Sequence, residues 1–294
     1  MVNTRILEQR LGWRRNASDP EVVPKNRPIA HVPMLQGRVD TSARGGAPGP
    51  RRLAVAEAWD NLPVLEDAPD ALAARAGLVP AIDRGSLAGA SFDQLRTQLT
   101  RALKANDWRR VGISSATRGA GRSFFAAGLA ASIARLDAMR VLLVDADLES
   151  PGLAALFHAE APGPIAEVLN GSRAPETQLM RMGSGLALAL NDTPEEYGAE
   201  LLLAPEGILA LRAMNDLLAP DVMILDMPPL LDDPLAQALL PQLDAVLLVA
   251  DGQRNTAHEI SECERMLDGQ VPLLGLALNK SEDRDPRHAP RRRA

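Results

Sequence analysis

The sequence predicts an α/β fold built on a doubly wound, mostly parallel sheet flanked by helices. Three observations carry that prediction. Short aliphatic runs recur between residues 111 and 279, with helical stretches between them. The runs show no polar alternation, as strands buried on both faces of a parallel sheet require. A glycine-rich turn joins the first run to an alanine-rich helix, and folds of this class bind ligands at the carboxyl ends of their strands.

In chain order, the first 80 residues hold nine of the 23 prolines, and "TSARGGAPGPRR" has linker composition. Residues 1–85 are therefore expected to form a disordered, basic, Pro-rich arm. One stretch within it, "TRILEQRLGW", could set Ile6, Leu7 and Leu11 on one helical face. Residues 86–282 are expected to form the folded domain, and 283–294 a basic tail. The domain opens on "SFDQLRTQLTRAL", with Phe92, Leu95, Leu99 and Leu103 at helical spacing. Six strands are expected: "VGISS" (111–115), "VLLVD" (141–145), "LALAL" (186–190), "VMILD" (222–226), "AVLLVA" (245–250) and "LLGLALN" (273–279).

Composition narrows the function classes. The single cysteine, Cys263, excludes an internal disulfide and a multi-cysteine metal site, and the four histidines have no metal-ligand spacing. No apolar run approaches the ~20 residues of a membrane span, and the N-terminus lacks a signal-peptide core. A cytoplasmic protein is expected. Residues 1–52 carry ten basic side chains against four acids, a net of +6, which leaves −12 on the remainder of a chain whose total is −6. Such an arm suits an anionic membrane surface or an acidic partner. Nucleic acid is disfavoured, because the body is acidic and no aromatics interleave the arginines.

The turn reads "SSATRGAGRS". Against the phosphate-loop pattern G-x-x-x-x-G-K-[ST], Ala116 stands at the first glycine, Gly121 at the second, Arg122 at the lysine and Ser123 at the hydroxyl. Gly119 and Gly121 let the backbone aim its N–H groups inward, at a helix N-terminus that favours anions. Ser123 could offer its hydroxyl to Mg²⁺. "VLLVDADLESP" then delivers Asp145 and Asp147 at one strand end, and "VMILDMPPLL" delivers Asp226 at another. An acid after four aliphatics is the Walker B pattern, whose carboxylate belongs to a magnesium shell. Together these features point to a P-loop NTPase fold binding ATP or ADP with Mg²⁺.

From about Ser91 to Lys280 the sequence resembles the cytoplasmic P-loop domain of the bacterial tyrosine kinases (BY-kinases), the CpsD/CapB-like regulators of capsule and exopolysaccharide synthesis. "SFDQLRTQL" is similar to their lead-in helix, "SSATRGAGRS" to Walker A, "VLLVDADLESP" to Walker A′ and "MILDMPP" to Walker B. The resemblance implies nucleotide binding by Thr117, Arg118, Gly119, Ala120, Gly121, Arg122, Ser123 and Phe124, with Asn279 where relatives contact the base. It implies metal binding by Ser123, Asp145 and Asp226, and catalytic roles for Arg122, Asp145 and Asp147. The partner it implies is the cytoplasmic segment of a membrane polysaccharide co-polymerase, with the protein peripheral at the inner membrane.

The chain departs from that pattern at identifiable positions. Arg122 replaces the catalytic lysine, and Glu149 stands where relatives are usually basic. The acid-arginine-arginine pattern associated with ring assembly reads Ala90, Asp93 and Arg96, which leaves homo-oligomerisation open. The tyrosine-rich tail is missing: the chain has one tyrosine, Tyr197. Three readings follow. One is a nucleotide-binding regulator of polysaccharide synthesis with weak or lost kinase activity. The second is an active tyrosine kinase acting in trans, and the third a partition-type positioning ATPase.

Overall fold

The computed structural model describes residues 50–65 and 87–280. In chain order the elements are α1 (Pro50–Asp60), α2 (Leu87–Asn106), β1 (Arg110–Ser115), α3 (Arg122–Ala134), β2 (Val141–Asp145), α4 (Leu153–Leu156) and α5 (Ile165–Leu169). They continue with β3 (Leu179–Met182), β4 (Leu186–Ala189), α6 (Gly198–Leu203), α7 (Pro205–Leu218), β5 (Val222–Asp226) and α8 (Pro234–Leu239). The last three are β6 (Ala245–Asp251), α9 (Ala257–Leu267) and β7 (Leu273–Asn279). One seven-stranded sheet runs β3-β4-β2-β5-β1-β6-β7. Every pairing is parallel except β3 with β4. The expected doubly wound α/β fold is thus present.

The strands are apolar throughout because each covers two cores. Along β2, Leu143 packs on the α2/α3 face while Leu142 and Val144 pack on the other. Along β5, Ile224 and its neighbours Met223 and Leu225 divide the same way. Helices α2 and α3 close the first face through Phe92, Leu95, Phe125 and Leu129. They approach so closely that a Cβ at Gly128 would collide with the Phe92 ring. Leu211, Met214 and Leu218 of α7 and Leu267 of α9 help to close the second face.

Residues 50–65 correct the expectation of a disordered arm reaching residue 85. Pro50 begins α1, where a missing N–H costs nothing, and the helix carries Trp59 into the second core at 2% exposure. The Trp59 indole N–H donates to the Leu218 carbonyl at 2.7 Å, and the Arg140 guanidinium lies 5.1 Å from the ring centroid. Beyond the helix, the Arg181 N–H donates to the Pro63 carbonyl and the Leu65 N–H to the Arg181 carbonyl, both at 2.8 Å. This short parallel bridge partners edge strand β3, whose free groups would otherwise be open to pairing. The expected helix at Ile6–Leu11 and the basic tail lie outside the described residues. Among the described residues no helix is long and apolar enough to cross a membrane.

Candidate functional site

The sheet order gathers the polar groups at one edge. β1 lies between β5 and β6, and β2 lies on the far side of β5. The loop leaving β1 therefore faces the ends of β5 and β2. Register makes the alignment tighter: Asp145 and Asp226 are direct neighbours across the β2–β5 pair, at a strand spacing of about 4.8 Å.

The loop takes the expected course. Gly119 and Gly121 adopt φ values of 84° and 96°, a left-handed conformation that side chains resist. At Gly121 a Cβ would also collide with the Asn279 amide. Gly121 precedes the first residue of α3, whose N-terminus no side chain caps, leaving its dipole and N–H groups facing the loop. The Phe124 ring turns away into the core, 5.5 Å from the Phe92 centroid. Only its backbone belongs to the loop. Thr117 is held on its hydroxyl by the Asn255 amide at 2.9 Å and on its carbonyl by the Ser115 hydroxyl at 2.7 Å.

Asp145 and Asp226 are fully buried, at 0% exposure each. One Asp145 oxygen accepts from the N–H groups of Gly152 and Leu153 at 3.1 and 3.0 Å. Its other oxygen and both Asp226 oxygens have no hydrogen-bond partner. Burial, and next the Asp226 charge, push the Asp145 carboxyl well above its usual range. Burial likewise raises Asp226, to about 7, against the lowering influence of the nearby Ser123 hydroxyl and the Arg122 charge. The Ser123 hydroxyl stands close enough to favour the ionised form without completing a hydrogen bond. Three unsatisfied carboxylate oxygens beside a hydroxyl form a donor set of hard oxygens, which suits Mg²⁺. Among the described residues no group of three His, Cys, Asp or Glu side chains is placed to hold a metal ion, so further ligands would have to come from phosphate and water.

Asp147 is handled differently. The Arg122 guanidinium donates to it at 2.7 Å, with both side chains nearly buried, and reaches the Ser115 hydroxyl at 3.0 Å and the Thr117 carbonyl at 3.4 Å. The Arg122 Nε has no partner. Arg118 approaches the same Asp147 at 3.4 Å and pairs with Glu149 at 2.7 Å and Asp233 at 2.9 Å. Both loop arginines are thus engaged by acids.

The far side of the loop is propped by the end of β7. The Asn279 amide donates to the Ala120 carbonyl at 2.9 Å, so its side chain is placed on the loop itself. The Lys280 ammonium donates to the Gly119 carbonyl at 2.7 Å and to Asp251 at 2.9 Å. The sequence reading missed Lys280, Asp233 and Asn255. A signal existed for Asp251, the acid ending the aliphatic run of β6, and through it for a cation at the neighbouring strand end. Asp93 and Arg96 pair with each other at 2.8 Å and with Ser132 of α3 at 2.7 and 3.3 Å, so this part of the lead-in helix is bound within the chain.

No family model matches the chain. Over 187 residues it is 30% identical to the tyrosine-protein kinase etk of Escherichia coli K12, covering 63% of this chain and 25% of that protein. It is 26% identical to the succinoglycan biosynthesis transport protein ExoP of Rhizobium meliloti, covering 65% of this chain and again 25% of the relative. The chain spans about a quarter of the length of these curated relatives. The solved kinase domain of Escherichia coli ETK superposes with a TM-score of 0.59 at 29% identity, covering 65% of this chain and 75% of that one. The glycine loop, the strand-end acids and these likenesses converge: over this domain the chain is similar to the kinase domains of the bacterial tyrosine kinases.

Proposed function

We propose that this domain binds ATP or ADP with Mg²⁺ and regulates exopolysaccharide or capsule synthesis together with a membrane polysaccharide co-polymerase, its tyrosine kinase activity being weak or lost. In this reading the N–H groups from Thr117 to Phe124 cradle the phosphates, with Ser123, Asp145 and Asp226 holding the metal. When bound, Mg²⁺ screens the charge between phosphate oxygens. Asp147 is the group best placed to take the proton of an attacking hydroxyl.

The observation that carries the reading is the Arg122–Asp147 pair at 2.7 Å. A lysine ammonium would act as a compact charge on the β/γ phosphates, whereas this planar guanidinium is committed to the base. Binding survives that exchange better than transfer does. Tyr197 is the single tyrosine of these 294 residues, so they hold no tyrosine cluster whose phosphorylation could act as a switch. The polysaccharide role is supported by relatives such as the succinoglycan biosynthesis transport protein. The basic ends favour an acidic co-polymerase segment or the anionic inner leaflet, at up to ~1 kcal/mol per basic side chain near the surface.

The test is calorimetry with ATP·Mg²⁺ and ADP·Mg²⁺, followed by a phosphate-release and tyrosine-phosphorylation assay on the same sample. Binding with negligible turnover is expected. No heat and no shift in melting temperature at millimolar nucleotide would refute the nucleotide site. Turnover at the ordinary kinase scale of 1–100 s⁻¹ would refute the loss of activity.

A further inference from the structure

We propose that the Arg118 side chain is a terminal-phosphate ligand, exchanging the carboxylates of Glu149 and Asp233 for the γ-phosphate of a bound nucleoside triphosphate. The inference rests on the nucleotide site proposed above and gives that site a means of telling triphosphate from diphosphate.

Position comes first. Arg118 lies in the phosphate loop, one residue before Gly119, yet its guanidinium extends across to the end of β2 and the start of α8. There it shares Asp147 with Arg122, the residue at the phosphate-reading position of the loop. Two guanidiniums reaching one carboxylate fix Arg118 at the phosphate end of the site, opposite the Asn279 and Lys280 prop. The same end holds the unpartnered, fully buried oxygens of Asp145 and Asp226. These are groups that would gather the cation carried by a triphosphate.

The exchange is cheap on the protein side, because each acid keeps a partner or water when Arg118 leaves. Asp147 retains Arg122 at 2.7 Å and the Ser150 N–H at 3.3 Å. Asp233 retains its role as N-cap of α8, accepting from the Leu235 N–H at 2.9 Å. Glu149 is 44% exposed and returns to solvent. Arg118 itself is 39% exposed, so its side chain has room to swing. A terminal phosphate offers three oxygens to the guanidinium fork, a stronger partner than three carboxylates already otherwise served. A diphosphate ends short of this point and leaves the carboxylate contacts in place. Arg118 and Asp233 thereby tie the start of α8 to the nucleotide state.

The experiment titrates the full-length protein, Arg118→Ala and Glu149→Gln with ATPγS·Mg²⁺ and with ADP·Mg²⁺, reading binding by calorimetry. Arg118→Ala should weaken ATPγS binding about ten- to hundredfold, as loss of a charge-assisted contact does, and change ADP binding less than about threefold. Glu149→Gln removes a competing anion and should tighten ATPγS binding about two- to fivefold while leaving ADP unchanged. Arg118→Ala weakening both nucleotides equally, or neither, overturns the proposal, as does Glu149→Gln weakening ATPγS. If Arg118→Ala fails to fold by circular dichroism, the Glu149→Gln result decides. A parent protein that binds neither nucleotide overturns the nucleotide site and this inference together. A parent that binds both, with Arg118→Ala indifferent, overturns this inference alone.

Discussion

Asp147 and Asp226 lie at the carboxyl edge of one sheet, at 2% and 0% exposure, and differ in their company. Asp147 faces a guanidinium at 2.7 Å and a second at 3.4 Å. Asp226 faces Asp145 across adjacent strands, and neither of its oxygens has a hydrogen-bond partner. A buried carboxylate needs neutralisation from somewhere. At Asp147 the chain supplies it from its own loop, whereas at Asp226 it leaves the charge to a proton or to a cation from outside. One half of the site is therefore closed on itself and the other is built to receive.

The largest effect expected from breaking this contrast is at the closed half. Asp147→Ala would strand the Arg122 charge in a buried setting, since Ser115 and Thr117 offer only neutral oxygens. Removing one partner of a buried pair costs about 3–5 kcal/mol, and the loss should appear in urea unfolding as a lower midpoint at unchanged slope. A loss below ~1 kcal/mol would show that water already serves Arg122.

The receiving half should behave oppositely, and pH exposes it. An acid whose folded pKa is raised keeps its proton after the unfolded chain has lost it, so stability falls as pH rises through the interval between the two values. For Asp226 that interval runs from 3.8 to about 7, and the Asp145 carboxyl is raised as well. Without Mg²⁺, the melting temperature should therefore drop by roughly 5 °C or more between pH 5 and pH 8. Added Mg²⁺ and nucleotide should restore it at pH 8. Asp226→Asn should flatten the profile and raise the melting temperature at pH 8, while abolishing the restoration. A parallel decline in parent and variant would locate the pH sensitivity elsewhere.

Much of the fold was legible in the sequence because burial on both faces strips polar residues from central strands. The six expected strands are all present, and the strand-end acids follow from them. Strand β3 was missed: "LMRM" is a short antiparallel edge strand with three of its four residues only partly buried. Residues 50–65 were misread because proline density was taken as disorder, although Pro50 and Pro63 flank a helix rather than interrupt it. At the site, local motifs placed Gly121, Ser123, Asp145 and Asp226 together. Their pairing partners left no such trace. Arg118 meets Asp233 across 115 residues and Lys280 meets the Gly119 carbonyl across 161, and no window of sequence holds both ends of such a contact.

The smallest expected effect sharpens the contrast most. Arg122→Lys keeps a cation in the closed half and changes only its shape. The lysine would lose the guanidinium bonds to Ser115 and Thr117, about 1.5–3 kcal/mol for the first and less for the second at 3.4 Å. Against that, it removes an Nε that is buried without a partner, whose desolvation costs about 1–3 kcal/mol. The two contributions nearly cancel, so the variant should unfold within about 1 kcal/mol of the parent, where Asp147→Ala does not. The closed half then tolerates exchange of its cation but not loss of its anion. Lysine is also the shorter and more mobile side chain, so it can leave Asp147 for phosphate at lower cost. Phosphate release should rise in Arg122→Lys with nucleotide affinity changed less than about threefold. A variant that unfolds like the parent but stays as inactive would show that Arg122 is not what limits transfer, and the limit would then lie with the receiving half.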